Sequence, residues 1–319
     1  MAALTYLEAG RQALAEEMRR DARVWALGED LGRGGVFGQY KGLAEEFGAA
    51  RIADTPISEA TIMGAAVGAA LVGTRPVVEM RFSDFALCAV DELVNQAAKA
   101  RYMFGGQGRV PLVVREPIGM WRSSAAQHSQ SLESWYAHIP GLVVVAPATP
   151  ADNYGLLRAA IRCDDPVVYM EHKDLWALSG EVESGGDPLP LGKARIAREG
   201  RDVTLVTWSK MLHMALEAAA GEGPSLEVID LRTLFPWDRD AVCASVRKTG
   251  RLLVVHEAVT VGGFGAEIAA TVAEECFRDL QAPVRRLGAP RIPIPYAPPL
   301  EDLCKIAPSQ IAAAARKMV

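Results

Sequence analysis

The chain has 319 residues, 50% of them hydrophobic and 23% charged, with a formal net charge of -5. That length accommodates two domains with cores of their own, and the mild negative charge gives no electrostatic footprint for nucleic acid or an anionic membrane. The five cysteines (Cys88, Cys163, Cys243, Cys276, Cys304) lie far apart with no C-x-x-C pair, which indicates neither a disulfide frame nor a zinc site.

The N-terminal "MAALTYLEAGRQALAEEMRRD" mixes charges of both signs and has no continuous apolar stretch, unlike a signal peptide. Leu7, Leu14 and Met18 fall along one face of an amphipathic helix. Apolar runs then alternate with helical patterns. "VWALG" (24–28), "RPVVEM" (75–80), "VPLVVRE" (110–116), "LVVVAPA" (142–148) and "PVVYM" (166–170) read as buried strands, with helices over 58–72, 84–104 and 150–162. Continuous β-branched runs between helices predict an α/β fold, a parallel sheet covered on both faces. The longest weakly polar run, 62–73, is too short and too Gly-rich to span a bilayer. A soluble, cytoplasmic protein is expected.

From His172 to about Gly200 the strand signal lapses, and "SGEVESGGDPLPLG" carries the turn residues of a connector. A second, smaller α/β series follows. It runs through "DVTLVTW", a helix from Ser209, "SLEVIDL", a helix from Asp238, "RLLVVHE", a helix from Gly265 and "APVRRLG". "APRIPIPYAPPLED" reads as extended and residues 308–318 as a closing helix.

Chemistry is sparse and local. In "DTPISEATIMGAAVGAA" (54–70) a single carboxylate, Glu59, opens an almost wholly apolar helix, with Ser58 placed to cap it. Two readings stand. An acid in the first turn is favoured by the helix dipole, and an acid at a dry strand-to-helix corner can exchange a proton with a bound heterocycle. Ala60, Gly64 and Gly68, four apart, give the helix a face that another helix or subunit can approach closely. His128 lies in the Ser- and Gln-rich loop "AAQHSQS", either as a surface residue or as a general acid or base. "HEAVTVGGFGAEI" imitates a nucleotide loop, but its fingerprint is incomplete and the next strand carries no ribose-binding acid. Its glycines fit tight packing of a helix start against a sheet.

"GED" (28–30) with "GGVFG", "DTPISE", "RPVVEMRFSDF", "NQAAKARYM", "AAQHSQSLESWYAHIPGL", "EVIDLRTLFPWD" and "TGRLLVVHEA" occur in this order. Together they resemble the beta subunits of thiamine-diphosphate-dependent 2-oxo acid dehydrogenases, the pyruvate, branched-chain and acetoin enzymes, from about residue 5 to the C-terminus. The resemblance implies a transketolase-like pyrimidine-binding domain over 1–185 and a transketolase C-terminal domain over 186–319. It implies that Glu59 hydrogen-bonds the aminopyrimidine ring of thiamine diphosphate, with Ile57 and Phe85 packing around that ring. His128 matches a histidine associated with handing the acyl group to a lipoyl arm. The backbone at Leu112, Ala160, Ile161, Cys163 and Asp165 corresponds to a potassium site in some members. Arg81 departs from the pattern, since relatives place Met or Gln there, and a guanidinium beside the cofactor would change the pocket's charge. No "GDG" string, the family's Mg²⁺-diphosphate motif, occurs in the chain. The implied partners are therefore an alpha subunit, which supplies that half-site in an α2β2 heterotetramer, and a lipoyl-bearing acyltransferase. The substrate is a 2-oxo acid (pyruvate or branched-chain) or acetoin. A split-chain transketolase-type transferase without a lipoyl partner shares Glu59 and stays open.

Overall fold

The computed structural model describes residues 1–319. Two compact units are present, Met1–Ile118 with Trp135–Leu191, and Gly119–Ser134 with Gly192–Val319.

The first unit runs β1 (Ala2–Thr5), α1 (Tyr6–Arg20), β2 (Val24–Gly28), α2 (Leu43–Phe47), β3 (Ile52–Asp54), α3 (Glu59–Leu71), β4 (Arg75–Glu79), α4 (Ser83–Ala86), α5 (Ala98–Met103) and β5 (Val113–Ile118). It continues after the short α6 (Glu133–Ala137) with β6 (Val143–Val145), α7 (Pro150–Arg162), β7 (Val167–His172) and β8 (Ser179–Val182). Its strands lie in the order β6-β7-β5-β4-β2-β3, all parallel. Every residue of β5 and β7 is buried, as a sheet covered on both faces requires. One face packs on α1 and α7, where Ala9, Ala13, Leu14 and Met18 join Leu156, Leu157 and Ile161 in a single core. Both helices start at built caps. Thr5 and Glu8 form a reciprocal capping box, and Thr149 accepts from the Asp152 amide ahead of Pro150.

The second unit holds β9 (Arg195–Arg198), β10 (Val203–Thr207), α8 (Met211–Ala220), β11 (Leu226–Asp230), β12 (Thr233–Phe235), α9 (Arg239–Thr249), β13 (Leu252–Val259), α10 (Gly265–Glu275), β14 (Arg285–Ala289), α11 (Pro298–Asp302) and α12 (Pro308–Arg316). Its sheet is ordered β14-β13-β10-β11-β9, parallel except for β9. A Cβ on Gly265 would stand 2.9 Å from the His256 ring, so the glycine lets α10 start hard against β13.

Three local expectations need correction. Residues 84–104 do not form one helix: a π-helical stretch over Asp91–Ala97 separates α4 from α5, and Asn95 and Gln96 both bond back to Asp91. The segment read as extended ends in α11, which opens on Pro298 and Pro299. The connector is not strandless, because β8 pairs antiparallel with β1 and β9 pairs with β11.

What positions the site is the register. Gly28 sits opposite both Asp54 and Glu79, so β2, β3 and β4 end level with one another. A side chain at Gly28 would meet the Glu79 carbonyl at 2.7 Å, so the strands approach there as only glycine allows. The chain leaves all three strands at one edge.

Candidate functional site

That carboxyl edge gathers Glu29 and Asp30 after β2, Ile57 and Glu59 after β3, and Arg81 and Phe85 after β4. Open α/β sheets bind ligands at this end of their strands. Glu59 is the first residue of α3 and is half-buried, and no hydrogen bond within the chain takes up its carboxylate. Ser58 does not cap the helix: its hydroxyl turns to Thr61 Oγ1 at 2.9 Å, which leaves the first amides of α3 open toward the site. The corner is also less dry than the sequence implies, with Ile57 78% exposed. Phe85 stands edge-on to Phe82, centroids 5.5 Å apart, and Phe82 in turn edge-on to Phe37.

Arg81 is anchored rather than free. Its Nη1 donates to Asp30 Oδ2 at 3.0 Å and its Nε lies 3.4 Å from Glu29 Oε2. Burial pushes the Glu29 carboxyl above its ordinary range; Arg81 opposes the rise, and the charges of Glu59 and Asp30 add to it. The edge is therefore an acidic cluster with one guanidinium inside it. Glu29 and Asp30 carry no role in the sequence reading, although "GED" contains both.

Beneath the edge lies a buried ionic layer. Arg115, 1% exposed in the middle of β5, forks onto Glu171 at 2.8 and 3.0 Å and lies 3.6 Å from Glu79. The Tyr40 hydroxyl donates to Glu79 at 2.9 Å, and its ring faces the Arg115 guanidinium at 5.3 Å. Burial pushes Glu79 up to about 7, opposed by Arg115 and assisted by Glu171. Glu116, the next residue of β5, is pushed up to about 8 by burial, with the Ser83 hydroxyl donating to it at 2.8 Å. The adjacent charges Arg115 and Glu116 inside the otherwise apolar "VVREPI" are the signal that could have exposed this layer.

His128 belongs to a different setting. Residues 119–134 pack with the second unit, held by the Met120 amide on Glu257 (2.7 Å) and the Ser123 amide on Glu301 (2.7 Å). Arg122, Ser123 and Ala125 all take positive φ, so the loop is tightly coiled. His128 is half-buried. Beside it, a cavity of about 440 Å³ is lined by Met120, Ser129, Ser131, Glu257, Arg291 and Ile294. Ser129 is 3% exposed and its hydroxyl has no protein partner.

The residues expected to line a potassium site lie at the opposite, amino edge of the first sheet, where four of their five backbone oxygens accept hydrogen bonds within the chain. Leu112 O accepts from the Val167 amide at 2.8 Å, and Ala160 O from the Cys163 amide at 3.1 Å. Ile161 O and Cys163 O both accept from Arg75 Nη1 at 3.0 Å. The Asp165 carboxylate takes Arg101 at 2.5 Å.

Residues 2–177 match the family described as transketolase, pyrimidine binding domain, and residues 192–311 match transketolase, C-terminal domain. The chain is 44% identical to the 2-oxoisovalerate dehydrogenase subunit beta of Bacillus subtilis, covering 100% of this chain and 99% of that one. It is 48% identical to the acetoin:2,6-dichlorophenolindophenol oxidoreductase subunit beta of Cupriavidus necator, with 96% and 94% covered. It is 46% identical to a mitochondrial pyruvate dehydrogenase E1 component subunit beta of rice, with 98% and 86% covered. Among solved structures, a split gene transketolase in an inactive beta4 tetramer superposes with a TM-score of 0.81 over 99% of this chain and 98% of that one, at 24% identity, a likeness of fold. Two transketolase-type domains and close relatives along the whole chain place it in the family of beta subunits of thiamine-diphosphate-dependent 2-oxo acid and acetoin dehydrogenases.

Proposed function

We propose that this chain is the beta subunit of the first component of a 2-oxo acid dehydrogenase complex, and that it holds the aminopyrimidine half of thiamine diphosphate at the carboxyl edge of its first sheet. The observation that carries this reading is Glu59, a carboxylate without a partner in the chain at the first turn of α3, in a family defined by a pyrimidine-binding domain. Thiamine diphosphate, when bound, would supply a nucleophilic carbon for the substrate carbonyl and a cationic ring as the electron sink for decarboxylation. The residues here do the rest. Glu59 shares a proton with a ring nitrogen of the pyrimidine, and Phe85 and Ile57 flank the ring. His128 serves as general acid or base when the acyl group passes to a lipoyl-bearing acyltransferase. Arg81, fixed by Asp30 and Glu29, sets the charge that the substrate meets.

Magnesium and the diphosphate fall to an alpha subunit, because the chain lacks a Gly-Asp-Gly string. Its contact is placed on the small-residue face of α3. There a groove of about 260 Å³ runs past Gly64, Val67, Gly68 and Met103, and a side chain at Gly68 would meet nothing within 4 Å. Val72, at 83% exposure, and Phe104 extend this apolar surface. No helix is long and apolar enough to cross a membrane.

The substrate is a 2-oxo acid, pyruvate or a branched-chain acid. Acetoin is the second reading, favoured by the 48% identity to an acetoin oxidoreductase subunit. Co-expression with the alpha partner, followed by cofactor titration and turnover on pyruvate, 2-oxoisovalerate and acetoin with a dye acceptor, tests both points. Thiamine-dependent turnover on one substrate class, together with weak cofactor binding by the chain alone, is expected. Tight magnesium-dependent binding to the isolated chain would show the half-site reading to be wrong.

A further inference from the structure

We infer that the guanidinium of Arg75 is the resident cation of the carbonyl cluster at the amino edge of the first sheet, and that the chain fixes this corner without potassium. Arg75 opens β4, and its side chain is 14% exposed. From there a single nitrogen, Nη1, reaches Ile161 O and Cys163 O, 3.0 Å each, where α7 ends and the turn into β7 begins. Nη2 donates to Asp164 Oδ1 at 2.6 Å. One planar group thus ties two backbone carbonyls to a carboxylate, a geometry that suits the guanidinium fork and not an ammonium.

The rest of the turn is held in the same way. Arg101 donates to Asp165 Oδ1 at 2.5 Å and to Asp164 O at 3.2 Å, and Arg109 to Asp164 Oδ2 at 2.7 Å. Three guanidinium groups thus meet the carboxylates of Asp164 and Asp165, and Asp21 Oδ2 stands 4.0 Å from Arg75 Nε, so the corner's charges are already matched within the chain. Of the remaining three carbonyls, Leu112 O and Ala160 O already accept from backbone amides, closing the β5–β7 ladder and the end of α7. A monovalent cation would have to share the Ile161 and Cys163 oxygens with the Arg75 guanidinium, a charge of its own sign. Leaving the two carbonyls without Arg75 would strand acceptors at a half-buried helix end. The arginine does structurally what an ion of the same charge does in a cage of carbonyls.

This inference concerns folding of the chain and is independent of the catalytic reading, so its test needs no turnover. The full-length chain is exchanged into tetramethylammonium chloride, and its melting midpoint is then measured in potassium, sodium and tetramethylammonium chloride at equal ionic strength. The wild-type midpoints are expected to coincide within about 1 °C. Arg75→Ala is expected to melt lower by about 3–8 °C, the effect of losing several charge-assisted bonds in a domain of this size. Potassium, but not tetramethylammonium, should restore part of that loss by entering the emptied cage. A saturable, potassium-specific rise in the wild-type midpoint overturns the inference, and so does an Arg75→Ala chain that melts with wild type. The wild-type comparison stands by itself if the variant does not fold.

Discussion

Glu59→Gln separates chemistry from folding more cleanly than any other change at the sheet edge. The amide keeps the shape of the side chain and removes its ability to share a proton. The structural cost is small and can be bounded: Glu59 is half-buried, makes no hydrogen bond and belongs to the first turn of α3. A carboxylate there gains about 0.3–1 kcal/mol from the helix dipole. Its charge also raises the proton affinity of Glu29, an unfavourable proximity that the amide relieves. The two effects offset, and the melting midpoint should move by no more than about 3 °C. The chemical cost is of another order. Positioned acid–base help contributes roughly 10²–10⁴ in rate, equivalent to about 2.7–5.4 kcal/mol of barrier. The assay is hydrogen–deuterium exchange at the thiazolium carbon of the cofactor in the enzyme reconstituted with its alpha partner, beside a thermal melt of the same sample. Exchange slowed by two to four orders with an intact melt is expected. Exchange at the wild-type rate would refute the role given to Glu59, and a slow rate with a collapsed melt would refute the bound on the structural cost.

His128→Ala should lower lipoamide-dependent turnover by about 10²–10⁴ while leaving dye-coupled decarboxylation and cofactor affinity near wild type; equal loss in both assays would make it a structural loop residue. Arg81→Gln should change the ranking of kcat/KM among pyruvate, 2-oxoisovalerate and acetoin, because it removes the only cation among Glu29, Asp30 and Glu59; an unchanged ranking counts against it. Glu116→Gln should show a pH-dependent stability gain. The buried acid is pushed up to about 8, so it costs the fold nothing below pH 4.5, where folded and unfolded chains are both protonated, and the cost grows as pH rises toward 8. The full effect is on the order of 5 kcal/mol, so the variant's melting midpoint should gain on wild type by several degrees between pH 5 and pH 8, and parallel curves would contradict the assignment.

The strands and helices of the doubly covered sheets were legible because their signals are local. "VWALG" is β2 residue for residue, and Thr149-Pro150 marks the start of α7 as its cap chemistry requires. The parts that escaped are set by distant partners. β1 is four residues without alternation, and it exists because Ser179–Val182 supplies its ladder. The attachment of residues 119–134 to the second unit depends on Glu257 and Glu301, far along the chain from the amides they accept. The same holds at the site. Glu59 stood out as a charge against an apolar helix, whereas the partnership of Arg81 with Glu29 and Asp30 needs the level ending of β2 and β4. Arg75 reads as the first residue of an ordinary buried strand, and nothing in "RPVVEM" tells that its side chain turns back onto the end of α7.

The two edges of the first sheet distribute charge in opposite ways, and this explains why the acid proposed to move a proton sits on a helix rather than on a strand. Strand residues just below the carboxyl edge are committed: Glu79 and Glu171 share Arg115 at nearly complete burial, and truncating Arg115 would leave both carboxylates without their cation at a cost of about 3–5 kcal/mol. Groups fixed that firmly pin the ends of β4, β5 and β7 but cannot trade protons with a ligand without disturbing the core. Glu29 and Asp30 are partly committed, to Arg81. Glu59 alone in this cluster has no partner to lose, and it is carried by a helix whose uncapped first turn is tied to the level end of β3. Rigidity in the buried layer and freedom of the one carboxylate above it are therefore two requirements met by one register, the alignment of Gly28 with Asp54 and Glu79.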